Sequence, residues 1–397
     1  MPVINITSRY MKVLQLGKFY PIRGGVEKVM WDITRGLAER GIPCDMLCAM
    51  LRDDAIDASH RPMASETEGG MRVLAFGPEN RVFCVPALAK KAGTMLSPAM
   101  IRWLRRHAAE YEIVHIHHPD PMAALALFLS GYRGRVILHW HSDIVSQRFF
   151  LFFYRPLQAW LTRRAERIIG TTPVYLEASK DLASVQEKTC CIPIGVEPIQ
   201  CNLQKVSTFL AKYPNKKLIF ALGRLVPYKG FDCLVRAAAH LSDDFRVLIG
   251  GTGPMRCKLE EQIRRMGLEG KVELLGFVSD ADVPVFFGAC DVFVMSSQWK
   301  TEAFGIVQVE AMSCAKPVVA TTIPESGVSW VNEHGVSGLN VPPQNPEAMA
   351  DAIVRICADV DTYQRYAAGA KARYEACFTL RSMLDRIIAM YENKKED

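Results

Sequence analysis

Two carboxylates, Glu302 and Glu310, stand eight positions apart around one glycine and an otherwise mostly apolar run. Upstream, Arg224 and Lys229 share a short segment that ends at Gly230. Two fixed cations that close together suit a diphosphate. Five histidines, His115, His117, His118, His139 and His141, fall in two short stretches. An H-x-H pair can ligate a metal, but no third carboxylate follows at a known ligand spacing. No metal site is therefore expected.

The elements that must position these groups can be read from hydrophobic pattern. Residues 290–295 form a strand-like run, 296–298 a polar turn, and 317–321 a second strand-like run. Between them a helix that begins near Phe304 puts Glu302 on the loop at its positive end. The amides of Phe304, Gly305, Ile306 and Val307 are then free first-turn donors, and such a helix start attracts an anion. Gly305 allows a ligand close to the backbone. A carboxylate beside bound phosphate makes sense only toward a neutral polyol, so Glu302 is a candidate for sugar hydroxyls. Glu310, about two turns in, is a candidate for ribose hydroxyls. A glutamate that merely complements the helix dipole gives the same spacing.

The chain before this point repeats one rhythm. Residues 12–17 read as a buried strand ending in glycine. A loop through Gly24 and Gly25 follows, then a helix with Val26, Met30, Ile33 and Leu37 on one face. Strand, glycine-rich loop and helix can cradle phosphate. A tight turn needing two flexible residues looks the same. Short apolar runs at 44–48, 71–76, 113–117, 136–139 and 168–171 continue a βαβ series. The histidines end two of these strands, where ligands of open parallel sheets bind. A proline- and glycine-rich stretch at 191–198 marks a domain boundary. A second series then starts with a strand at 218–224. The strand at 246–249 runs into a cradle containing Gly251 and Gly253. The strand at 272–275 precedes Val278, whose backbone could meet a base edge. Residues 351–391 read as helical throughout, and 394–397 as a frayed tail.

Composition sets the bounds. The 397 residues suggest two domains, and 49% hydrophobic with 23% charged residues is a globular balance. No apolar run approaches the roughly 18 residues of a membrane span. The first ten residues lack a signal-peptide core. Twelve scattered cysteines fit no zinc pattern and read as reduced thiols of a cytosolic protein. The net charge of +6 lies wholly in the first 200 residues, which hold 25 Lys and Arg against 19 Asp and Glu. Such a half could meet nucleic acid, an anionic membrane or an anionic substrate. No nucleic-acid module is present, so nucleic acid is not an expected partner. Residues 100–107 and 149–164 interleave aromatics with arginines. They read either as a surface for an anionic bilayer or lipid-linked acceptor, or as core helices with a solvated basic face.

In this order, Gly24-Gly25-Val26-Glu27, His141, Gly223-Arg224-Leu225 with Lys229-Gly230, Gly251-Thr252-Gly253-Pro254 and Glu302 through Glu310 resemble glycosyltransferase family four. These are retaining enzymes of GT-B fold, and the resemblance covers nearly the whole chain. It implies two Rossmann-like domains facing across a cleft, here 1–197 for the acceptor and 198–374 for the nucleotide sugar. A C-terminal helix, 375–397, would cross back to the first domain. By the resemblance, Arg224 and Lys229 hold the donor diphosphate, Glu310 the ribose, and Glu302 with the 304–307 backbone the donor sugar. Gly24 and Gly25 approach phosphates or acceptor, and His141 lies near the reacting carbon. The family implies no metal and no cofactor beyond the nucleotide sugar. The start of the chain and the His141-Ser142-Asp143 segment are similar to bacterial surface-polysaccharide mannosyltransferases. The expected donor is GDP-mannose, with UDP-hexoses as the alternative. The expected acceptor is a lipid-linked saccharide at the inner face of the cytoplasmic membrane, in lipopolysaccharide or exopolysaccharide synthesis. A non-catalytic nucleotide-binding scaffold is the alternative of another class.

Overall fold

The computed structural model describes residues 11–392, except 23, 52–53, 55–63, 69, 78–79, 92 and 145–147. The tail expected to fray, 394–397, and the first ten residues lie outside that range. The described residues divide into two compact units. One holds residues up to Thr171, Ser179–Ile192 and the chain from Leu384 on; the other holds Thr172–Ala178 and Pro193–Met383.

The first unit starts with β1 (Val13–Phe19), α1 (Gly25–Ala38) and β2 (Cys44–Met50). Val13, Leu14 and Leu16 of β1 are fully buried, as a parallel strand covered on both faces requires. Helix α1 turns Val29, Met30, Ile33 and Leu37 inward. Next come β3 (Ala64–Glu68), β4 (Met71–Gly77), β5 (Asn80–Pro86) and a hairpin of β6 (Ala89–Lys91) and β7 (Thr94–Leu96). Then follow α2 (Pro98–His107), β8 (Ile113–His118), α3 (Pro121–Ser130), β9 (Arg135–Trp140), α4 (Arg148–Arg164) and β10 (Arg167–Gly170). Helix α5 (Pro173–Ala178) belongs to the second unit, and β11 (Thr189–Cys191) returns to the first.

The sheet of this unit runs β11-β10-β9-β8-β1-β2-β5-β4-β3. It is parallel from β11 to β5, but β4 pairs antiparallel with both β5 and β3. The run at 71–76 is thus a strand, though not part of the βαβ series expected for it. The order reverses at β1, with β2 on one side and β8 on the other. That is the crevice where such sheets take ligands. Asp120 closes the β8 side by capping α3, accepting from the amides of Met122 and Ala123 at 3.1 and 3.0 Å.

The second unit is more regular. Helix α6 (Leu203–Leu210) leads to β12 (Lys217–Leu222), α7 (Phe231–Ala238), β13 (Phe245–Gly250), α8 (Arg256–Arg265), β14 (Val272–Gly276) and α9 (Val283–Ala289). Then come β15 (Val292–Met295), α10 (Ile306–Ser313), β16 (Val318–Thr321), α11 (Val328–Val331) and β17 (Gly338–Val341). The sheet order is β14-β13-β12-β15-β16-β17, and each adjacent pair is parallel. Its reversal lies between β12 and β15.

Three helices finish the chain: α12 (Pro346–Ile356), α13 (Val360–Cys377) and α14 (Leu380–Glu392). The stretch expected to be helical throughout is therefore broken twice. Asp359 caps α13 by accepting from the amide of Thr362 at 2.7 Å. At the second break, the amide of Val196 donates to Phe378 and the amide of Leu380 to Val196. Those bonds hold the segment after Ile192 and the end of α13 in the second unit. The first unit accordingly ends at Ile192 rather than at 197, and the chain rejoins it at Leu384 rather than at 375. Among the described residues no helix is long and apolar enough to cross a membrane.

Candidate active site

The reversal of the second sheet brings together two loops. The loop after β12 carries Gly223, exposed Arg224 and Lys229; the loop after β15 carries Ser296, Ser297 and Glu302. Lys229 Nζ lies 2.5 Å from Glu302 Oε2, across 73 residues of sequence. Ser297 Oγ donates to the same carboxylate oxygen at 3.0 Å, and Ser326 Oγ donates to the Glu302 carbonyl at 2.5 Å. Ser296 Oγ donates to the Lys229 carbonyl at 2.8 Å. Both charged side chains are largely covered, 13% exposed for Lys229 and 12% for Glu302. Burial pulls the Lys229 ammonium toward its neutral form. The charge of Glu302, with Tyr228, outweighs that and leaves its pKa above the ordinary value. Lys229 is therefore a fixed, fully charged cation.

Three glycine-bearing loops complete this edge. Gly251 has φ of 133°, and a Cβ there would strike the carbonyl of Gly223. Its amide donates to the Gly276 carbonyl at 2.7 Å. The chain after β13 thus lies flat between its neighbours, which no side chain would allow. Leu225 donates to Thr252, and Met255 to Leu225, closing Gly253 into the same arrangement. Half-buried Val278 follows β14 and touches the position where Gly250 would carry a Cβ. Helix α10 starts at Ile306, two residues later than expected, because Gly305 caps it in the left-handed conformation with φ of 77°. The amides of Gly305, Ile306 and Val307 stand at the cap and first turn, where intrahelical acceptors are lacking. Phe304 lies before the cap, buried, and its carbonyl accepts from Gln308 Nε2 at 2.7 Å. Glu310 is half-buried one turn beyond the helix start.

In the first unit, Gly24 caps α1 and accepts from the amide of Lys28 at 3.0 Å. The buried Glu27 carboxylate folds back where a side chain at position 24 would stand. Gly25 is exposed, and Arg23 lies outside the described residues. Across the sheet reversal the amide of Lys18 donates to Asp120 Oδ2 at 2.5 Å. His141 is the first residue past β9 and only 5% exposed. Its Nε2 lies 2.9 Å from His117 Nδ1. The ring of His139 packs on it with centroids 4.1 Å apart and planes 15° from parallel. Burial first, then neighbouring histidines and Lys18, holds the His141 pKa well below its ordinary value. His115 and His117 are lowered for the same first reason, and His118 and His139 fall to about 3.

A ring nitrogen from each of His115, His117 and His139 lies within 4.8 Å of the others. The rings are nevertheless stacked, with planes within 28° of one another. An imidazole binds a metal in its own plane. His117 already uses both ring nitrogens, on Gln15 and on His141, so the trio as arranged does not offer three free lone pairs.

Sequence reasoning missed Ser297 and Ser326, which hold Glu302. The polar turn after β15 was the only signal for the first of them. It also missed Gln15 and Tyr391, which reach the histidines from elements far away in sequence.

The Glycosyltransferase Family 4 profile matches residues 23–199, and the Glycosyl transferases group 1 profile matches 204–373. The D-rhamnosyltransferase WbpZ of Pseudomonas aeruginosa is 31% identical, over 93% of this chain and 92% of its own length. This chain belongs to glycosyltransferase family 4. The O-antigen chain mannosyltransferase C of Escherichia coli is 28% identical, over 96% of this chain and 98% of its own. Among solved structures, Anabaena HepE in complex with UDP and glucose superposes with a TM-score of 0.77, covering 97% of this chain and 100% of that one, at 24% identity. Sucrose-phosphate synthase from Thermosynechococcus elongatus gives 0.77, covering 96% and 98%, at 20% identity. The two Rossmann-like sheets are those of a GT-B glycosyltransferase.

Proposed function

We propose that this glycosyltransferase moves mannose from GDP-mannose to a lipid-linked saccharide in bacterial surface-polysaccharide synthesis, with retention of configuration and without a metal. The observation that carries the donor assignment is the Lys229–Glu302 pair at the reversal of the second sheet, beside the start of α10. Sugar transfer breaks the bond between the anomeric carbon and the diphosphate oxygen, which keeps the electron pair. Lys229, Arg224 and the α10 amides stabilise that developing charge. The acceptor oxygen bonds to the same carbon, and its proton passes to the leaving phosphate. Glu302, held by Ser297 and Lys229, receives sugar hydroxyls; Glu310 receives the ribose. Gly251, Gly253 and Val278 offer backbone to the nucleotide. His141, Gly24 and Gly25 serve the sugar and acceptor side.

Mannose is favoured by the Escherichia coli relative, an O-antigen chain mannosyltransferase that this chain matches over nearly its whole length. A UDP-hexose is the second reading, supported by the UDP and UDP-glucose held in the HepE structures. A panel of nucleotide sugars decides between them. GDP-mannose should raise the thermal midpoint most, since a bound donor stabilises the fold by mass action. It should also be the sugar transferred to a lipid diphosphate acceptor. Stabilisation and turnover by UDP-glucose alone would replace the donor. No response to any nucleotide sugar would favour the scaffold.

A further inference from the structure

Strands covered on both faces are ordinarily apolar. One face of β1, β8 and β9, continued by the residue after β9, instead carries Gln15, His115, His117, His139 and His141, none more than 5% exposed. The register sets them side by side, Gln15 beside His115 and His117 beside His139. Tyr391, buried near the end of α14, adds a hydroxyl to the same row. Polar groups at that depth are costly unless they are bonded to one another.

The bonds form one chain with one direction. Gln15 Nε2 donates to the Tyr391 oxygen at 3.4 Å, and that hydroxyl lies 2.5 Å from His115 Nδ1. Gln15 Oε1 lies 2.7 Å from His117 Nε2, and His117 Nδ1 lies 2.9 Å from His141 Nε2. An amide oxygen only accepts. With the Gln15 amide oriented this way, its oxygen toward His117, His117 carries its proton on Nε2 and keeps a lone pair on Nδ1. That lone pair requires a proton on His141 Nε2. The remaining nitrogen of His141, Nδ1, is a buried lone pair with no partner among the described residues. Among the described residues His139 finds no hydrogen-bond partner for either nitrogen, and its ring face packs on His141. Because these rings are held neutral by burial, which nitrogen bears the proton is a choice the protein must make.

We propose that Gln15 and His117 are positioning residues that hold His141 as the Nε2–H tautomer, so that its Nδ1 accepts a hydrogen bond from a hydroxyl of the bound sugar. The proposal rests on the reading of His141 as a sugar contact. It makes His141 an acceptor and excludes it as a donor or as a cation toward the substrate.

The test uses the full chain labelled with ¹⁵N-histidine, with the His141 signals assigned by their loss in His141→Gln. Long-range ¹H–¹⁵N correlation should show the proton of His141 on Nε2 from pH 6.5 to 8. A proton on Nδ1 overturns the proposal. The kinetic arm follows release of GDP from GDP-mannose in Gln15→Glu and Gln15→Leu, with thermal unfolding of each. Glutamate keeps an oxygen that accepts from His117; leucine does not. Gln15→Leu should lose roughly tenfold in kcat with KM nearly unchanged, the effect of about one neutral hydrogen bond. Gln15→Glu should stay within about twofold of the wild type on the same scale. A Gln15→Leu enzyme that turns over normally, or a Gln15→Glu enzyme equally impaired, overturns the relay. If leucine prevents folding, the wild-type tautomer decides alone. If the wild type uses no nucleotide sugar, the transferase reading fails while the tautomer still tests the relay.

Discussion

At the carboxyl edge of β12 and β15 the polar groups are charged; at the carboxyl edge of β8 and β9 they are neutral imidazoles. Lys229 and Glu302 are charged, partly covered and held by serines from neighbouring loops. The histidines are buried, stacked, and pushed toward the neutral form. The difference follows from what each edge would face. A leaving diphosphate needs fixed positive charge. A sugar or acceptor hydroxyl needs a directed lone pair or proton, and a cation there would oppose the positive charge that builds on the sugar. Each prediction below tests one side of this contrast.

The largest effect should come from acid. Folding holds His115, His117, His118, His139 and His141 below their ordinary pKa, so the unfolded chain binds more protons. Stability is then fully present above about pH 6.5 and is lost as pH falls from there toward the folded values, near 3 for His118 and His139. At pH 5.5 His118 and His139 should each cost about 1–2 kcal/mol, and His115, His117 and His141 act in the same direction. Chemical denaturation at pH 7.5 and 5.5 measures this. His139→Leu, which removes a ring without hydrogen bonds, should flatten the dependence. Equal stability at both pH values would mean the row is not neutral in the fold.

Next in size is Lys229→Ala, with Arg224→Ala beside it. Removing a cation from the leaving group should cost about 2–4 kcal/mol of transition-state stabilisation, or 10²–10³ in turnover. Lys229→Ala should also loosen Glu302, because the pair is partly buried. Turnover of each purified variant, with its unfolding midpoint, checks both points. Wild-type rates would remove the diphosphate from this loop.

Smaller again is the division between the two carboxylates. Glu302 sits on the loop under two serine hydroxyls, whereas Glu310 lies within α10. Glu302→Gln should impair transfer more than nucleotide binding, and Glu310→Gln the reverse, each by about 1–3 kcal/mol for a charge-assisted hydrogen bond. Calorimetric titration with GDP separates them. Unchanged GDP affinity in Glu310→Gln, or abolished affinity in Glu302→Gln, contradicts the division.

The second unit was more legible in the sequence than the first. Its strands are short apolar runs separated by helical patterns, and Arg224, Lys229, Glu302 and Glu310 stand at the loop and helix positions those runs imply. What could not be read was the pairing of Lys229 with Glu302, which depends on β15 crossing to the far side of β12. The start of α10 was misplaced by two residues because Gly305 caps rather than joins the helix. In the first unit the strands at 113–117 and 136–139 were visible, but their histidines were read as strand ends. Only the register of β1, β8 and β9 reveals a row across three strands, and only the fold brings Tyr391 to it. The antiparallel β3 and β4 were hidden because a strand's pattern does not state its direction.

The smallest expected effect concerns the outside of the first unit. Arg102 and Arg106 of α2 are exposed, and Arg105 donates to the carbonyl of Leu129 in α3 at 3.0 Å. Leu125, Phe128 and Leu129 of α3 face solvent, as do Phe152 and Phe153 of α4, with Phe128 edge-on to Trp160. The sequence pointed to α2 and α4; α3, which packs against both, adds exposed apolar side chains of its own. A basic and apolar face of this kind suits an anionic bilayer, which attracts a well-placed arginine by about 1 kcal/mol. Arg106→Ala should therefore reduce sedimentation with anionic vesicles by roughly fivefold in partition coefficient at low salt. The reduction should shrink as salt screens the surface. Neutral vesicles should recover little of either protein. Equal recovery of wild type and variant in the supernatant, with anionic and neutral vesicles alike, would return these helices to an ordinary solvated face. The charged edge of β12 and β15 would keep its proposed role, since donor binding does not depend on where the acceptor is held.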